Sequence, residues 1–430
     1  MVSTILISIG VAAVAISWVY CGLQIMLLFE NRRFCKVRTQ METPSPTVFP
    51  MANVFIPCKG SEHRLRENLA AFFRQDHPNY RLTFIVESRQ DGAVPVIEEL
   101  INENRDIDSR IVVAGRADDS GQKVHNLRVA TEDIGQATDV LVFADSDAMP
   151  KKTWLRWLTY NLGLTELGAN TGYRWMIPRD GSIWTRIGCA INNSLATMMG
   201  RGRHFLIWGG AWAIHRKIFE ASGIREAWKG SLSDDLVASR ALHRAGLEVR
   251  FEPNCVCQSY VQFTAASLFE FIRRQFVIGR KHTPWYWRVS VLLTAANQVA
   301  IWGGLVAAAI GISRGASWSG WLLLSTVLLY GFSVARGMMR SQIGKTFYCD
   351  WKKERSARML DTWGNPIVGI YVLLVMVAAL LTKEISWRGI RYQIADGGDI
   401  RLVGRDVDRS IWPLVGEEKT AIRANIRRSA

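Results

Sequence analysis

The sequence predicts an α/β protein: a Rossmann-like mixed sheet in the middle of the chain, with transmembrane helices at both ends. Apolar residues are blocked at the two ends of the 430 residues, and strand-like runs alternate with helix-like runs between them. Polar clusters stand just after three of those strand-like runs, where sheets of this kind bind ligands. The composition agrees. At 49% hydrophobic and 10% aromatic residues, the chain is not a disordered one. Seven cysteines are too sparse for a secreted disulfide scaffold, and no paired CxxC motif marks a structural zinc module. Free thiols fit a reducing compartment.

Residues 4–29 carry no charge and exceed the roughly 20 residues that cross a bilayer core. No Lys or Arg precedes them, which argues against a cleavable signal. Arg32, Arg33, Lys36 and Arg38 follow them. The positive-inside rule then places Met1 outside and residue 32 onward in the cytosol. Residues 1–31 are therefore expected as an anchor. Residues 286–385 are expected as a second membrane region, with spans at 289–312 and 318–335 and an external linker containing Arg314. Residues 336–361 carry Arg336, Arg340, Lys345, Lys352, Lys353, Arg355 and Arg358, and read as a cytosolic or membrane-surface segment. Residues 366–382 are apolar but short. The tail, 386–430, is basic and also favours the cytosol, so either 366–382 is re-entrant or interfacial, the favoured reading, or it is a third span and the tail lies outside against the rule. Much of the net charge of +15 is thus assigned to headgroup contacts, and no motif points to a nucleic-acid partner.

Residues 45–285 form the expected cytosolic catalytic domain. Strands are expected at Val48–Ile56, Arg81–Val86, Arg110–Val113 and Val140–Phe143. Helices are expected at Leu65–Phe73, Val94–Asn104 and His125–Asp133. Strand and helix alternating at these lengths imply βαβ units. Lys59-Gly60, Glu87 to Asp91, and Asp145 to Asp147 each follow a strand.

Asp145-Ser146-Asp147 sets two carboxylates at i, i+2 where a buried strand enters a turn. Such a pair can share Mg²⁺ or Mn²⁺ with phosphate and water oxygens, or simply cap the turn. Ser233-Asp234-Asp235-Leu236 precedes a helical run from Val237 to Ala245. It can cap that helix or supply a general base; Asp235 is the first choice for the base and Asp234 the second. Gly121 to Leu127 (GQKVHNL) puts Lys123 and Asn126 at a helix start, suited to a nucleotide phosphate or to an ordinary solvated lysine. In Trp208-Gly209-Gly210-Ala211-Trp212 the glycines permit close backbone approach. The tryptophans can stack on a sugar or fill the core. Arg273-Arg274-Gln275 stands before the second membrane region, as a diphosphate clamp, as flanking positive charge, or as both. Cys255 and Cys257 share one face of a strand and read as structural.

Taken together, these motifs resemble the ceramide glucosyltransferase-like family over about residues 10–395. The resemblance is carried by Pro57-Cys-Lys-Gly60, Arg74 to Ser88, GQKVHNL, Phe143 to Ala148, WGGAW, SDDL, Arg273 to Phe276 and Trp387 to Tyr392. It implies a membrane-bound GT-A glycosyltransferase that moves a sugar, with inversion, from a UDP-sugar to a lipid hydroxyl such as that of ceramide or diacylglycerol. UDP-glucose or a related nucleotide sugar is the donor the resemblance implies. In the family's pattern the nucleoside acid falls at Glu87 or Asp91, the metal acid at Asp145 and the base at Asp235. The donor contacts implied are Lys59, Gly60, Glu87, Asp91, Lys123, Asn126, Asp145, Gly209, Gly210, Arg273, Arg274 and Gln275, with Asp145 and Asp147 on the metal. The family's closing Arg-Trp pair is absent; Arg273-Arg274-Gln275-Phe276 stands there. Two other functions are compatible with the motifs: a processive polysaccharide synthase, and a catalytically silent scaffold. A bacterial inner membrane is expected in preference to endoplasmic reticulum or Golgi.

Overall fold

The computed structural model describes residues 2–61, 64–162, 166–347, 354–394 and 400–405. Lys352, Lys353, Arg409 and the rest of the basic tail beyond 405 lie outside them.

The first half follows the expected alternation. Strand β1 (Ala52–Pro57) leads to α2 (Leu65–Phe72), β2 (Tyr80–Val86), α3 (Val94–Glu103), β3 (Ser109–Val113), α4 (Gln122–Ala130), β4 (Val140–Ala144) and α5 (Trp154–Thr159); α1 (Val2–Gln40) precedes them all. The first strand starts at Ala52, not Val48. Pro50, inside the expected run, has no amide hydrogen for a ladder. There follow β5 (Leu167–Pro178), α6 (Ile183–Ala196), β6 (Arg201–Gly202), β7 (Ala211–His215), α7 (Arg216–Ala221), α8 (Ile224–Ala227), α9 (Asp234–Arg244) and β8 (Glu248–Val261). The sheet order is β3-β2-β1-β4-β7-β5-β8-β6. Strands β1 to β4 are parallel, and β7 runs against both β4 and β5. This is the expected α/β GT-A architecture with its mixed Rossmann-like sheet.

Side chains alternate across the sheet as the pleat requires. Val54 and Ile56 pack with Leu69, Phe72, Ile97 and Trp154 on one face. Phe55, Phe143 and Trp212 pack with Leu127, Phe219 and Trp228 on the other. Both faces are covered, so the parallel strands read as nearly continuous apolar runs. Trp212 is fully buried and stacks on Phe143 with ring centroids 4.2 Å apart. Of the two tryptophans in WGGAW, this one is core. Cys255 and Cys257 are buried in β8, as expected of structural thiols.

Helix α10 (Ala265–His282) leaves the sheet through a capping box between Thr264 and Ser267. Then come α11 (Pro284–Gln298), a π-helical turn at Val299–Gly303, α12 (Gly304–Ser313), α13 (Ser319–Phe347), α14 (Arg355–Trp363) and α15 (Asn365–Leu381). Among the described residues, three helical stretches are long and apolar enough to cross a membrane: Ile7–Gln40, Pro284–Ser313 and Ser319–Phe347. They pack together; Trp18 Nε1 donates to Ser325 Oγ at 3.0 Å, and its ring meets Phe332 edge-on.

Residues 336–361, expected as a separate cytosolic or membrane-surface segment, begin instead inside a long helix. Helix α13 continues to Phe347, and Arg336 and Arg340 are buried on it. The reason is a partner in α14: Asp361 accepts from Arg340 Nε at 2.9 Å and from Nη2 at 2.7 Å. Gly337 lets the two helices touch, since a Cβ there would lie 2.6 Å from Thr362 Cα.

Helices α14 and α15 meet at 83°. Both ends of this pair touch the catalytic unit. Glu354, just before α14, accepts from Trp175 Nε1 of β5 at 2.8 Å. Thr382, just after α15, accepts through its carbonyl from Arg280 Nη2 at 3.0 Å and through its hydroxyl from Arg273 Nη1 at 3.1 Å. The chain then forms a small antiparallel sheet, β9 (Glu384–Trp387), β10 (Ile390–Ile394) and β11 (Ile400–Arg405). It docks on α10 and the loop before α9 through Ile385, Ile390, Tyr392, Leu232 and Val277.

Candidate active site

Because β1, β2 and β4 are parallel, their carboxyl ends deliver Lys59, Glu87 and Asp145 to one edge of the sheet. Strand β7 is antiparallel and begins at that edge, with Ala211 opposite Ala144. Gly209 and Gly210 therefore enter beside Asp145, whose amide donates to the Gly210 carbonyl at 3.2 Å. Ser233 caps α9 by accepting from Leu236 N. Asp234 and Asp235 occupy its first turn, where the helix dipole favours negative charge.

Lys123 gathers these pieces. Its Nζ lies 2.7 Å from Asp145 Oδ1 and 3.1 Å from Asp234 Oδ1, and it donates to the Gly209 carbonyl at 3.1 Å. Burial alone would lower its affinity for a proton. The charges of Asp145, Asp234 and Asp235 outweigh that and hold the ammonium above its ordinary range. Asp234 is buried, and burial pushes its carboxyl up to about 7; Lys123 opposes the rise, while Asp235 and Asp145 add to it. Its Oδ2 is buried without a hydrogen-bond partner. Asp235 is only partly buried. Its Oδ2 accepts from Gly209 N at 2.8 Å, and its Oδ1 accepts from Leu236 N at 2.8 Å and from the Ser233 hydroxyl. Of the two adjacent acids, Asp235 is the one that reaches the surface, and its charge is held by donors already in place.

A second group forms the far end of the site. Glu87 pairs with Lys59 Nζ at 3.0 Å and with Arg405 of β11. Asp91 instead braces the loop after β1, accepting from Gly60 N at 2.7 Å and from Ala93 N at 2.9 Å. Asn126 is buried beneath, bonded to Gln122. Gln122 N donates to Tyr392 Oη at 3.0 Å, and Gln122 Oε1 accepts from Arg405 Nη2 at 2.9 Å. The expected donor contacts thus separate. Lys59, Gly60, Glu87, Asp91, Lys123, Asp145, Gly209 and Gly210 lie around one edge. Arg273 turns away to Glu270 and Thr382, and Gln275 is exposed. Arg274 faces inward, 5.6 Å from the Phe271 ring and 5.4 Å from the Trp387 ring. Arg174, Trp387, Tyr392 and Arg405 were not singled out from the sequence as site residues. Arg174 sits inside a strand with nothing polar beside it to mark it. Trp387 and Tyr392 carry the resemblance but no role, and Arg405 reads only as one charge of the basic tail.

Among the described residues, no three His, Cys, Asp or Glu side chains converge to hold a metal ion. The acids nearest the need are Asp145 and Asp147, both partly exposed. Two carboxylates are hard oxygen donors of the kind Mg²⁺ or Mn²⁺ takes when phosphates and water complete its shell, so the residues present fit such an ion.

The model of glycosyl transferase family 21 matches residues 10–400 of the chain. The chain belongs to that family. This family 21 glycosyltransferase is 21% identical over 374 residues to ceramide glucosyltransferase 1 of Caenorhabditis elegans, covering 83% of this chain and 74% of the relative. It is 22% identical over 400 residues to ceramide glucosyltransferase 3 of the same animal, covering 91% and 82%. Among solved structures it is similar to a mannosyltransferase of Pyrobaculum calidifontis in complex with GDP-Man and Mn²⁺. The identity is 15% and the TM-score 0.45, with 84% of this chain and 99% of that one covered.

Proposed function

We propose that this glycosyltransferase moves a hexose, with inversion, from a UDP-sugar to the hydroxyl of a membrane lipid of the ceramide or diacylglycerol kind. The observation that carries the reading is the meeting of Lys123, Asp145, Asp234 and Asp235 at one sheet edge, on a chain with three helices fit to span a bilayer. Asp235 takes the proton from the lipid hydroxyl as the oxygen attacks the anomeric carbon; the bond to the diphosphate breaks, and UDP leaves. Lys123 holds Asp145 and Asp234 in place. Asp145 and Asp147 would hold Mg²⁺ or Mn²⁺, which supplies positive charge to the leaving diphosphate. Glu87 and the Lys59-Gly60 loop line the nucleoside end.

The expected domain plan fits this scheme. Helix α1, the Pro284–Ser313 rod and α13 cross the membrane. The α14–α15 pair enters and returns on the catalytic side, because both its ends touch the catalytic unit. The described parts of the tail, Glu384–Ile394 and Ile400–Arg405, then lie with the catalytic domain on the cytosolic side. A bacterial inner membrane suits this arrangement.

The test is a transfer assay on detergent-purified protein, with labelled UDP-sugars, mixed lipids and Mn²⁺. One labelled glycolipid is expected, lost in Asp235→Asn and with EDTA. Full transfer by Asp235→Asn would sink the assignment of the base. A ladder of products would favour a processive polysaccharide synthase. No metal-dependent UDP-sugar binding would favour a silent scaffold.

A further inference from the structure

Three arginines from three separate elements line up between Asp147 and the loop after β1. Arg174 projects from β5 past the edge where β7 begins. Its Nη1 lies 3.9 Å from Asp147 Oδ2, and its guanidinium carbon is 5.3 Å from the Phe271 ring. Arg274 of α10 stands against the same ring at 5.6 Å. Arg388 comes from the C-terminal sheet, where its Nη1 donates to the Lys59 carbonyl at 3.4 Å. The row therefore runs from the acid after β4 to the loop after β1.

Asp147 beside Arg174 and Glu270 near Arg274 offset part of the Coulomb cost of holding these guanidinium groups together, and a multivalent anion would offset more. Burial, and then the charges of Arg174 and Arg388, pull Arg274 down to about 10. The backbone adds a second sign. Trp387 and Ile390 face each other across a two-residue turn, Arg388-Gly389, with φ of 50° and 73°. Turns of this form favour Asn or Gly at both positions. A left-handed arginine persists only where its surroundings fix it, and such residues gather at functional sites.

We propose that Arg174, Arg274 and Arg388 form one seat for the diphosphate of the donor, so that the C-terminal sheet is part of the active site. The proposal rests on the nucleotide-sugar reading above. The seat runs from Asp147, one of the two acids that would hold the metal, to the Lys59 carbonyl beside the proposed nucleoside end. Guanidinium forks match phosphate oxygens two at a time. The seat would hold UDP after the sugar has left as firmly as before. The sheet completes it from one side, with Trp387 beneath Arg274 and Arg388 at the turn.

The test measures UDP and UMP binding to the full-length protein in detergent with Mg²⁺. Arg388→Asn keeps a residue that tolerates the left-handed turn, and Arg174→Gln lies on a different element. Each is expected to weaken UDP binding by about tenfold to hundredfold, the worth of one or two charged hydrogen bonds. UMP affinity should stay within about twofold, so the preference for UDP over UMP shrinks. An unchanged preference in both variants overturns the proposal. So does an equal loss for UDP and UMP, which a merely structural role would give. If the wild-type protein ignores uridine nucleotides but prefers GDP to GMP, and the variants lose that preference, the seat stands and the uridine reading falls. A wild-type protein with no preference for any nucleoside diphosphate defeats both.

Discussion

Lys123 Nζ sits 2.7 Å from Asp145 Oδ1 and ties the start of α4 to the end of β4. The same ammonium reaches Asp234 at 3.1 Å, so one cation joins acids from two distant motifs.

Replacing it exposes that dependence. Lys123→Met leaves Asp234 buried without its cation, and removing one partner of a buried pair costs about 3–5 kcal/mol. The loss should be larger at pH 8, where Asp234 is charged, than at pH 5, where it is protonated. Thermal denaturation at the two pH values checks this; equal losses would contradict it. Transfer activity should fall by at least about a hundredfold.

Asp234 also predicts a pH dependence of stability. Its folded carboxyl sits near 7, against an ordinary 3.8. Across roughly pH 4 to 7 the folded state then holds a proton that the unfolded state has lost. The stability this group contributes is full below about 4, falls as pH rises to 7, and is level above. Asp234→Asn should flatten that part of the stability–pH curve, as read by denaturant midpoints at half-unit steps. A slope unchanged by the substitution would rule the assignment out.

Gly209 is fitted to the site by its missing side chain. A Cβ there would lie 3.0 Å from Asp235 Oδ2, 3.1 Å from Asp234 Oδ2 and 3.1 Å from Lys123 Nζ. Gly209→Ala should push these groups apart and lower kcat by about tenfold or more, with a smaller change in overall stability. Full activity in that variant would mean that the three groups are less tightly coupled than their spacing implies.

Arg340 and Asp361 give a prediction away from the chemistry. Their bidentate pair is largely buried between α13 and α14. Asp361→Ala strands a buried guanidinium, and should cost about 3–5 kcal/mol with little change in activity per folded molecule. Thermal shift and specific activity, measured together, separate those effects. A double substitution with Arg340→Met should recover part of the loss.

The sheet was legible because its strands are buried on both faces, and runs such as Val140–Phe143 advertise that. The acids at strand ends were legible for the same reason. A carboxylate after such a run stands at a known edge. Trp208 and Trp212 could not be told apart, since both flank the glycines. What separates them is the start of β7 at Ala211, which sends Trp212 into the core and leaves Trp208 beside Arg174. The length of α13 was hidden because Arg336 and Arg340 look like the end of a span until Asp361 is placed beside them. The C-terminal sheet was hidden more deeply. Its strands are short and rich in charge, and their burial depends on Leu232 and Val277, far off in the chain.

That small sheet also sets the order in which the enzyme can be completed. Glu87 emerges from the ribosome long before Arg405, and every apolar helix after α1 is synthesised between them. On the proposed function, the Glu87 end of the site would stay unfinished until the later apolar helices have been made and the last strands have folded back. A chain whose later helices misfold would lack Arg388 and Arg405 at their stations beside Lys59 and Glu87, so on the proposed function the assembly of those helices would be a condition of donor binding.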